Sequence, residues 1–174
     1  MKLENLSEIV RTATFAEDFA HNDIDYRMHL PDSIVEIRCD TQHLNRLLTN
    51  LLQNAQEAIT ARPVTDDGGL LPGIIEVTVF TDGSNAILEI RDNGIGLPAE
   101  GRERLTEPYV TNREKGTGLG LAIVKKIMEE HGGRMHLDDA DGGGAKIRLS
   151  FPLADGTRQA GHEETDGSRV EYGA

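Results

Sequence analysis

Apolar positions recur at helical spacing through Leu6, Ile9, Val10, Ala13, Ala16 and Ala20, which predicts a first helix over 3–20 ending at His21-Asn22-Asp23. Two β-like runs follow, Ile24–Leu30 and Ile34–Arg38, and the Pro31-Asp32 turn between them predicts a hairpin. A second helix is predicted over 41–60, capped by Asp40 or Thr41. Its apolar residues Leu44, Leu47, Leu48, Leu51, Leu52, Ala55, Ala58 and Ile59 share one face of a 3.6-residue period. Pro63 and the polar stretch 65–69 mark a loop. Ile74–Thr81 and Ala86–Asp92 alternate as strands around the hairpin signal Asp82-Gly83-Ser84-Asn85.

No sustained period runs from Gly94 to Lys115, where Pro98, Gly101 and Pro108 interrupt a charged stretch. Loops this long inside a compact domain are usually functional or disordered. A third helix is expected from Leu119 to His131, with Gly132 just beyond its end. A protonated His131 would suit the negative end of that helix dipole. Arg134–Asp138 and Ala145–Phe151 read as closing strands around Asp141-Gly142-Gly143-Gly144. The folded domain is expected over 1–152. From Leu153 the chain is polar and Gly-rich, so 153–174 is expected to be a disordered tail.

Composition narrows the function classes. The 174 residues include 30 acids and 18 bases, for a formal charge of −12, which argues against non-specific binding to nucleic acid or anionic lipid. An anionic ligand must therefore be held by backbone amides, a few placed cations or a bound metal. The single cysteine, Cys39, excludes a disulfide scaffold and reads as a small buried hydrophobe. No apolar run approaches the ~20 residues of a membrane helix and no signal peptide is present, so a cytoplasmic segment without direct membrane contact is expected. The six histidines show no metal-site spacing.

Chemistry concentrates in three places. Asn50 and Asn54 lie one turn apart on the second helix, Asn54 at the edge of the leucine stripe. A half-buried amide needs partners. It either bonds to nearby backbone or offers a neutral oxygen to a hard cation such as Mg²⁺, which takes few protein ligands beside water and phosphate. The second place is Asp92-Asn93-Gly94-Ile95-Gly96. Strand alternation puts Asp92 on the inward side with Leu88 and Ile90. Such an acid either closes an Asx turn or accepts from a ligand amine such as adenine N6. The third is Gly116-Thr117-Gly118-Leu119-Gly120-Leu121, a glycine-rich helix entry that either permits close packing or holds an anion on backbone amides. It lacks the Gly-Lys-Ser/Thr ending of a P-loop, and no strand directly precedes it.

The order of these places, with a long charged loop between the second and third, resembles the ATP-binding catalytic domain of sensor histidine kinases. That domain belongs to the superfamily that includes gyrase and MutL. The resemblance covers about 40–152. Asn50-Leu51-Leu52-Gln53-Asn54-Ala55 is similar to the family's N box, Asp92–Gly96 to G1, Gly116–Leu121 to G2 and Glu107–Thr111 to the F box, with Tyr109 at the usual Phe position. Gly142–Ala145 resembles the final glycine-rich turn. Asn50–Ile59 together with Glu4–Val10 looks most like the nitrogen-regulation sensor kinases.

The resemblance implies a Bergerat-type fold, an α/β two-layer sandwich whose mixed sheet carries helices on one face and a mobile ATP lid. It implies ATP and Mg²⁺ as cofactors, with Asn54 as the metal ligand and Asn50 beside the reactive end as the catalytic residue. Asp92 would accept from adenine N6, while Gly94, Ile95 and Gly96 shape the slot. Thr111, Arg113 and Lys115 would serve from the lid, and Gly116, Thr117, Gly118, Leu119 and Gly120 would lie near the phosphates. Transfer of the γ-phosphate to a histidine on a separate acceptor hairpin is implied, with an NtrX-like response regulator as the downstream partner and no nucleic acid.

Three departures bear on this. Glu57 stands where many members have a Lys that reaches a phosphate. Asn50 stands where the gyrase and MutL branch has a water-activating Glu, and an amide cannot accept a proton at neutral pH. His21 lacks the acid and downstream Pro of a phospho-acceptor, so the chain reads as a catalytic fragment without its acceptor domain. A serine kinase of the anti-sigma type and a non-catalytic nucleotide-dependent module are the rival readings.

Overall fold

A computed structural model describes residues 1–65, 68, 69, 71–108 and 118–154. Its elements, in chain order, are β1 (Lys2–Asn5), α1 (Leu6–Ala20), β2 (Ile24–His29), β3 (Glu36–Cys39), α2 (Thr41–Thr60), β4 (Gly73–Thr81) and β5 (Asn85–Asp92). A short 3₁₀ turn (Arg102–Arg104), α3 (Gly120–Glu130), β6 (Arg134–Asp139) and β7 (Ala145–Pro152) complete it.

The main sheet has the order β2-β4-β5-β7-β6, with β2 parallel to β4 and every other pair antiparallel. Its pleat separates two environments. Ile75, Val77 and Val79 of β4 are buried with Leu88 and Ile90 of β5, while Glu76 and Thr78 between them stay half exposed. The helices cover the buried side, and α2 packs on β4 and β5 between α1 and α3. The result is the expected two-layer α/β sandwich.

The central helix follows its sequence pattern closely. Asp40 is its cap, its carboxylate accepting from the amides of Gln42 (2.9 Å) and His43 (3.1 Å). These bonds, that of His43 foremost, hold the Asp40 carboxyl below its ordinary range. All eight expected apolar residues are buried, and five leucines are within 1% of full burial. Each such leucine contributes ~1.5–3 kcal/mol relative to an exposed one.

The N-terminal region departs from expectation in two ways. Residues 3–5 do not begin the first helix: Lys2–Asn5 forms a strand antiparallel to β3, in register Lys2↔Cys39 to Asn5↔Glu36. The helix starts at Leu6 because the Asn5 side chain accepts the Ser7 amide (3.1 Å) and so caps it. Periodicity alone could not see that cap, since Leu3 also fits the helical stripe. Nor do the runs Ile24–Leu30 and Ile34–Arg38 form a hairpin: β2 joins the main sheet beside β4, and β3 leaves it for the two-stranded sheet with β1. The expected tail boundary also moves. Leu153 bridges to Ile37 and the Ala154 amide donates to Glu36 O (3.1 Å), so both residues still bond into the fold. The rest of the expected tail, 155–174, lies outside the described residues.

Cys39 is 1% exposed at the end of β3, and burial, with Glu4 and Asp40 adding, pushes its thiol from 9.0 to about 11. The unfolded thiol loses its proton first, so the stability it contributes is complete below pH 9.0 and is lost as pH rises toward about 11. Urea titrations across that range should show a steeper loss of stability for the parent chain than for Cys39→Ala, and a thiol reagent should leave the native protein unlabelled at pH 7. Leu48→Ala, at a site with no exposure, should cost about 2–5 kcal/mol in the same titration at pH 7.

Candidate nucleotide site

The candidate site lies along α2 from Asn50 to Ala58, where the start of α3 and the loop after β5 each pack against it. Asn50 and Asn54 are both half-buried on α2. The Asn50 amide group donates to Arg46 O (2.7 Å), which commits its nitrogen to the helix backbone. The first residue of α3 faces them: a Cβ placed on Gly120 would lie 3.3 Å from the Asn54 Oδ1 and Nδ2 and 3.5 Å from the Asn50 Oδ1. Residues 50, 54 and 120 therefore meet at one point, with room for backbone and little else.

Asp92 closes β5 at 6% exposure, on the same inward side as Leu88 and Ile90. Its Oδ1 accepts from the Gly94 amide (2.8 Å) and from the Ala145 amide (3.4 Å). The Asx turn weighed from sequence is thus present, and it also orients the carboxylate. The loop after Asp92 is pressed onto α2. A Cβ on Gly94 would sit 2.5 Å from the Ala58 carbonyl carbon, and the Ile95 amide donates to Ala58 O (3.0 Å). Ala58 is one turn beyond Asn54, so the aspartate and the asparagines belong to one rigid frame. On the other side Gly144, at φ +98°, brings its chain so close that a Cβ would stand 1.9 Å from Asp92 O. No other residue type fits there.

Arg62 and the bracing role of Asn93 escaped the sequence reading. Asn93 accepts from the Ile74 amide (2.8 Å) and donates to Pro72 O (2.9 Å). Arg62, just beyond α2, donates to Leu71 O (2.6 Å), Ile59 O (3.1 Å) and, at 3.4 Å each, Pro72 O and Asn93 O. Both tie the loop before β4 to the loop after β5. Arg and Asn in loops carry no periodicity, so only the three-dimensional donor and acceptor count reveals them. The long loop is also anchored: Arg102 makes a bidentate pair with Asp139 on β6 (2.8 and 3.0 Å) and donates to Pro98 O (2.7 Å).

Of the remaining expected site residues, Ile95 is 53% exposed, Gly96 has φ +79°, and Gly118 has φ +68° before Leu119, which caps α3. Tyr109, Val110, Thr111, Arg113, Lys115, Gly116 and Thr117 lie outside the described residues. Glu57 is exposed on α2. His131 reverses its expectation: it is not a charged helix terminus but a buried ring whose Nε2 accepts from the Asp40 amide (3.0 Å), which the unprotonated nitrogen alone can do. Among the described residues no group of three or more His, Cys, Asp or Glu side chains could hold a metal. Among the same residues, no helix is long and apolar enough to cross a membrane.

The sequence and the fold have counterparts. The sequence profile of the family described as histidine kinase-, DNA gyrase B-, and HSP90-like ATPase matches residues 39–155. The chain is 46% identical over 166 residues to the nitrogen regulation protein NtrY of Azorhizobium caulinodans, covering 95% of this chain and 20% of that protein. Against the sensor histidine kinase ZraS of Escherichia coli O157:H7 it is 33% identical over 138 residues, covering 79% of this chain and 28% of that one. It therefore spans between a fifth and three tenths of these relatives. A mycobacterial sensor histidine kinase, MprB, has the same fold at a TM-score of 0.73 and 26% identity, covering 87% of this chain and 97% of that chain. The nucleotide-free catalytic domain of histidine kinase ThkA gives 0.72 at 27% identity, covering 87% and 94%.

Two glycine substitutions should separate frame from site. Gly144→Ala forces a Cβ into Asp92 O and should destabilise the fold by several kcal/mol in urea titration. Gly120→Ala meets only the flexible ends of Asn50 and Asn54, so stability should change by less than about 1 kcal/mol.

Proposed function

This chain belongs to the histidine kinase-, DNA gyrase B-, and HSP90-like ATPase family, and on that premise we propose that it binds Mg·ATP and presents the γ-phosphate to a histidine on a separate acceptor hairpin of a two-component sensor kinase. The observation that carries the reading is the meeting of Asn50, Asn54 and Gly120 at one point, in a frame shared with the buried Asp92. A glycine facing two carboxamides supports a site for an anion with its cation over a packed core.

The donor chemistry fits Mg²⁺. Two carboxamides facing a glycine present neutral oxygens, and Mg²⁺ usually takes one or two protein ligands with phosphate and water supplying the rest. Asn54 would be that ligand. When bound, the ion supplies charge neutralisation of the phosphates. Asp92, already oriented by two amides, would accept from the exocyclic amine of adenine, and the Gly94–Gly96 loop would let the ring approach the backbone. The first turn of α3, Leu119 and Gly120 with Gly116–Gly118 before it, would direct amides at the phosphates. Arg113, Lys115 and Thr111 would contribute from the lid.

The chain's own residues would then act mainly by position. Asn50, its nitrogen held by Arg46 O, would place its oxygen beside the reacting phosphate. As an amide it cannot take a proton from water, which disfavours hydrolysis and leaves the phosphate for another nucleophile. Phosphoryl transfer needs alignment and charge neutralisation more than covalent help from the protein. The similarity to NtrY supports a role in a cytoplasmic nitrogen-regulation sensor segment, with an NtrX-like response regulator receiving the phosphate from the acceptor histidine.

Calorimetry should show Mg·ATP binding by the parent chain, weakened at least about tenfold by Asp92→Ala and by Asn54→Ala, the latter losing its Mg²⁺ dependence. Unimpaired binding by both variants would overturn the reading. With labelled ATP, label should pass to a histidine-bearing hairpin and not to a serine substrate.

A further inference from the structure

His131 follows the last residue of α3 and is 7% exposed, a buried polar ring that the nucleotide chemistry does not use. Both of its nitrogens are engaged. Nδ1 lies 2.7 Å from Ile127 O, and Nε2 accepts from the Asp40 amide at 3.0 Å. A backbone amide can only donate, so the ring proton sits on Nδ1 and is given to Ile127 O. His43 stands edge-on at 6.2 Å between ring centres and pairs with Glu130 (3.3 Å), filling the same corner.

The two ends of this link matter. Asp40 is the cap of α2, so the bond joins the start of α2 to the end of α3. The other ends of the same stretches carry the site. Asn50 lies ten residues, or about 15 Å, along α2 from Asp40, and Gly120 lies eleven residues, or about 16 Å, back along α3 from His131. These near-equal lengths bring Gly120 level with Asn50 and Asn54. The approach there is close, since a Cβ on Gly120 would lie 3.3 Å from the Asn54 carboxamide, so movement of α3 along its axis changes what Asn50 and Asn54 face. A helix is stiff along its axis, so a shift at the His131 end reappears at the Gly120 end.

We propose that His131 is a positioning residue of the nucleotide site, its Nε2 clamping the cap of α2 to the end of α3 and so fixing Gly120 against Asn50 and Asn54. The proposal rests on the Mg·ATP reading for its functional meaning but not for its geometry. The test compares His131→Phe, which keeps a ring but has no acceptor, with His131→Gln, whose Oε1 can take the place of Nε2 toward the Asp40 amide. In the ligand-free 174-residue chain, nitrogen NMR should show Nε2 of His131 unprotonated. His131→Phe should shift the Asn50 and Asn54 side-chain amides and the Gly120 backbone amide, and His131→Gln should restore them. By calorimetry, Phe should weaken Mg·ATP binding by about tenfold and Gln by less than about threefold, with both variants folded by near-ultraviolet circular dichroism. If a folded Phe variant leaves the Asn50, Asn54 and Gly120 resonances unmoved, or if Gln behaves no better than Phe, the clamp is overturned. Were the parent chain not to bind Mg·ATP, the nucleotide reading would fail while the ligand-free resonances would still decide the clamp.

Discussion

Everything in the site depends on how the leucine stripe of α2 is buried against β4 and β5. Burying Leu44, Leu47, Leu48, Leu51 and Leu52 to within 1% of completeness fixes the helix's rotation about its own axis. Once that rotation is fixed, Asn50 and Asn54 must emerge at the stripe's border, half-buried and turned toward the neighbouring helix. The hydrophobic effect is not directional, yet here it aims two amides. The contact of Gly94 with Ala58 then places the end of β5 on the same helix, so carboxylate and carboxamides are positioned by one packing event.

Much of this was legible in the chain. The heptad-like spacing of α2, the cap at Asp40, the inward phase of Asp92 and the glycines at 94, 96 and 120 are local signals, each with a local cause. What was not legible is long-range. A strand of four residues, Lys2–Asn5, exists only because Glu36–Cys39 passes beside it, and nothing within those four residues says so. The runs flanking Pro31 carry genuine β propensity, but which strand each pairs with is decided by sheet closure rather than by the turn between them. His131 was misread for a related reason: the helix-dipole argument considers its own helix, whereas the decisive partner is an amide 91 residues earlier.

The charge of −12 is not spread evenly over the fold. Several of its acids are paired on the sheet. Glu76 on β4 sits opposite Arg27 on β2 and Arg91 on β5, at 3.8 Å from each, and Glu89 pairs with Arg148 across β5 and β7 at 2.8 Å. These exposed pairs add little stability, about 0–1 kcal/mol each. Their value is in location, since they occupy the open face of the sheet. The side carrying the asparagines has amides, glycines and the end of a helix, with Glu57 exposed on α2.

The same sheet has β2 and β6 as its terminal strands among the described residues. An exposed edge is a template for another chain's strand, and a sheet with two of them risks open-ended polymerisation. Here β2 carries Asp25 and Arg27, and β6 carries Arg134, His136, Asp138 and Asp139, one of them engaged by Arg102. Charge along both margins makes strand addition unfavourable without lengthening or capping the sheet. The charges that set the chain's net sign thus also guard the margins of its sheet, so one feature of composition serves both the surface and the backbone beneath it.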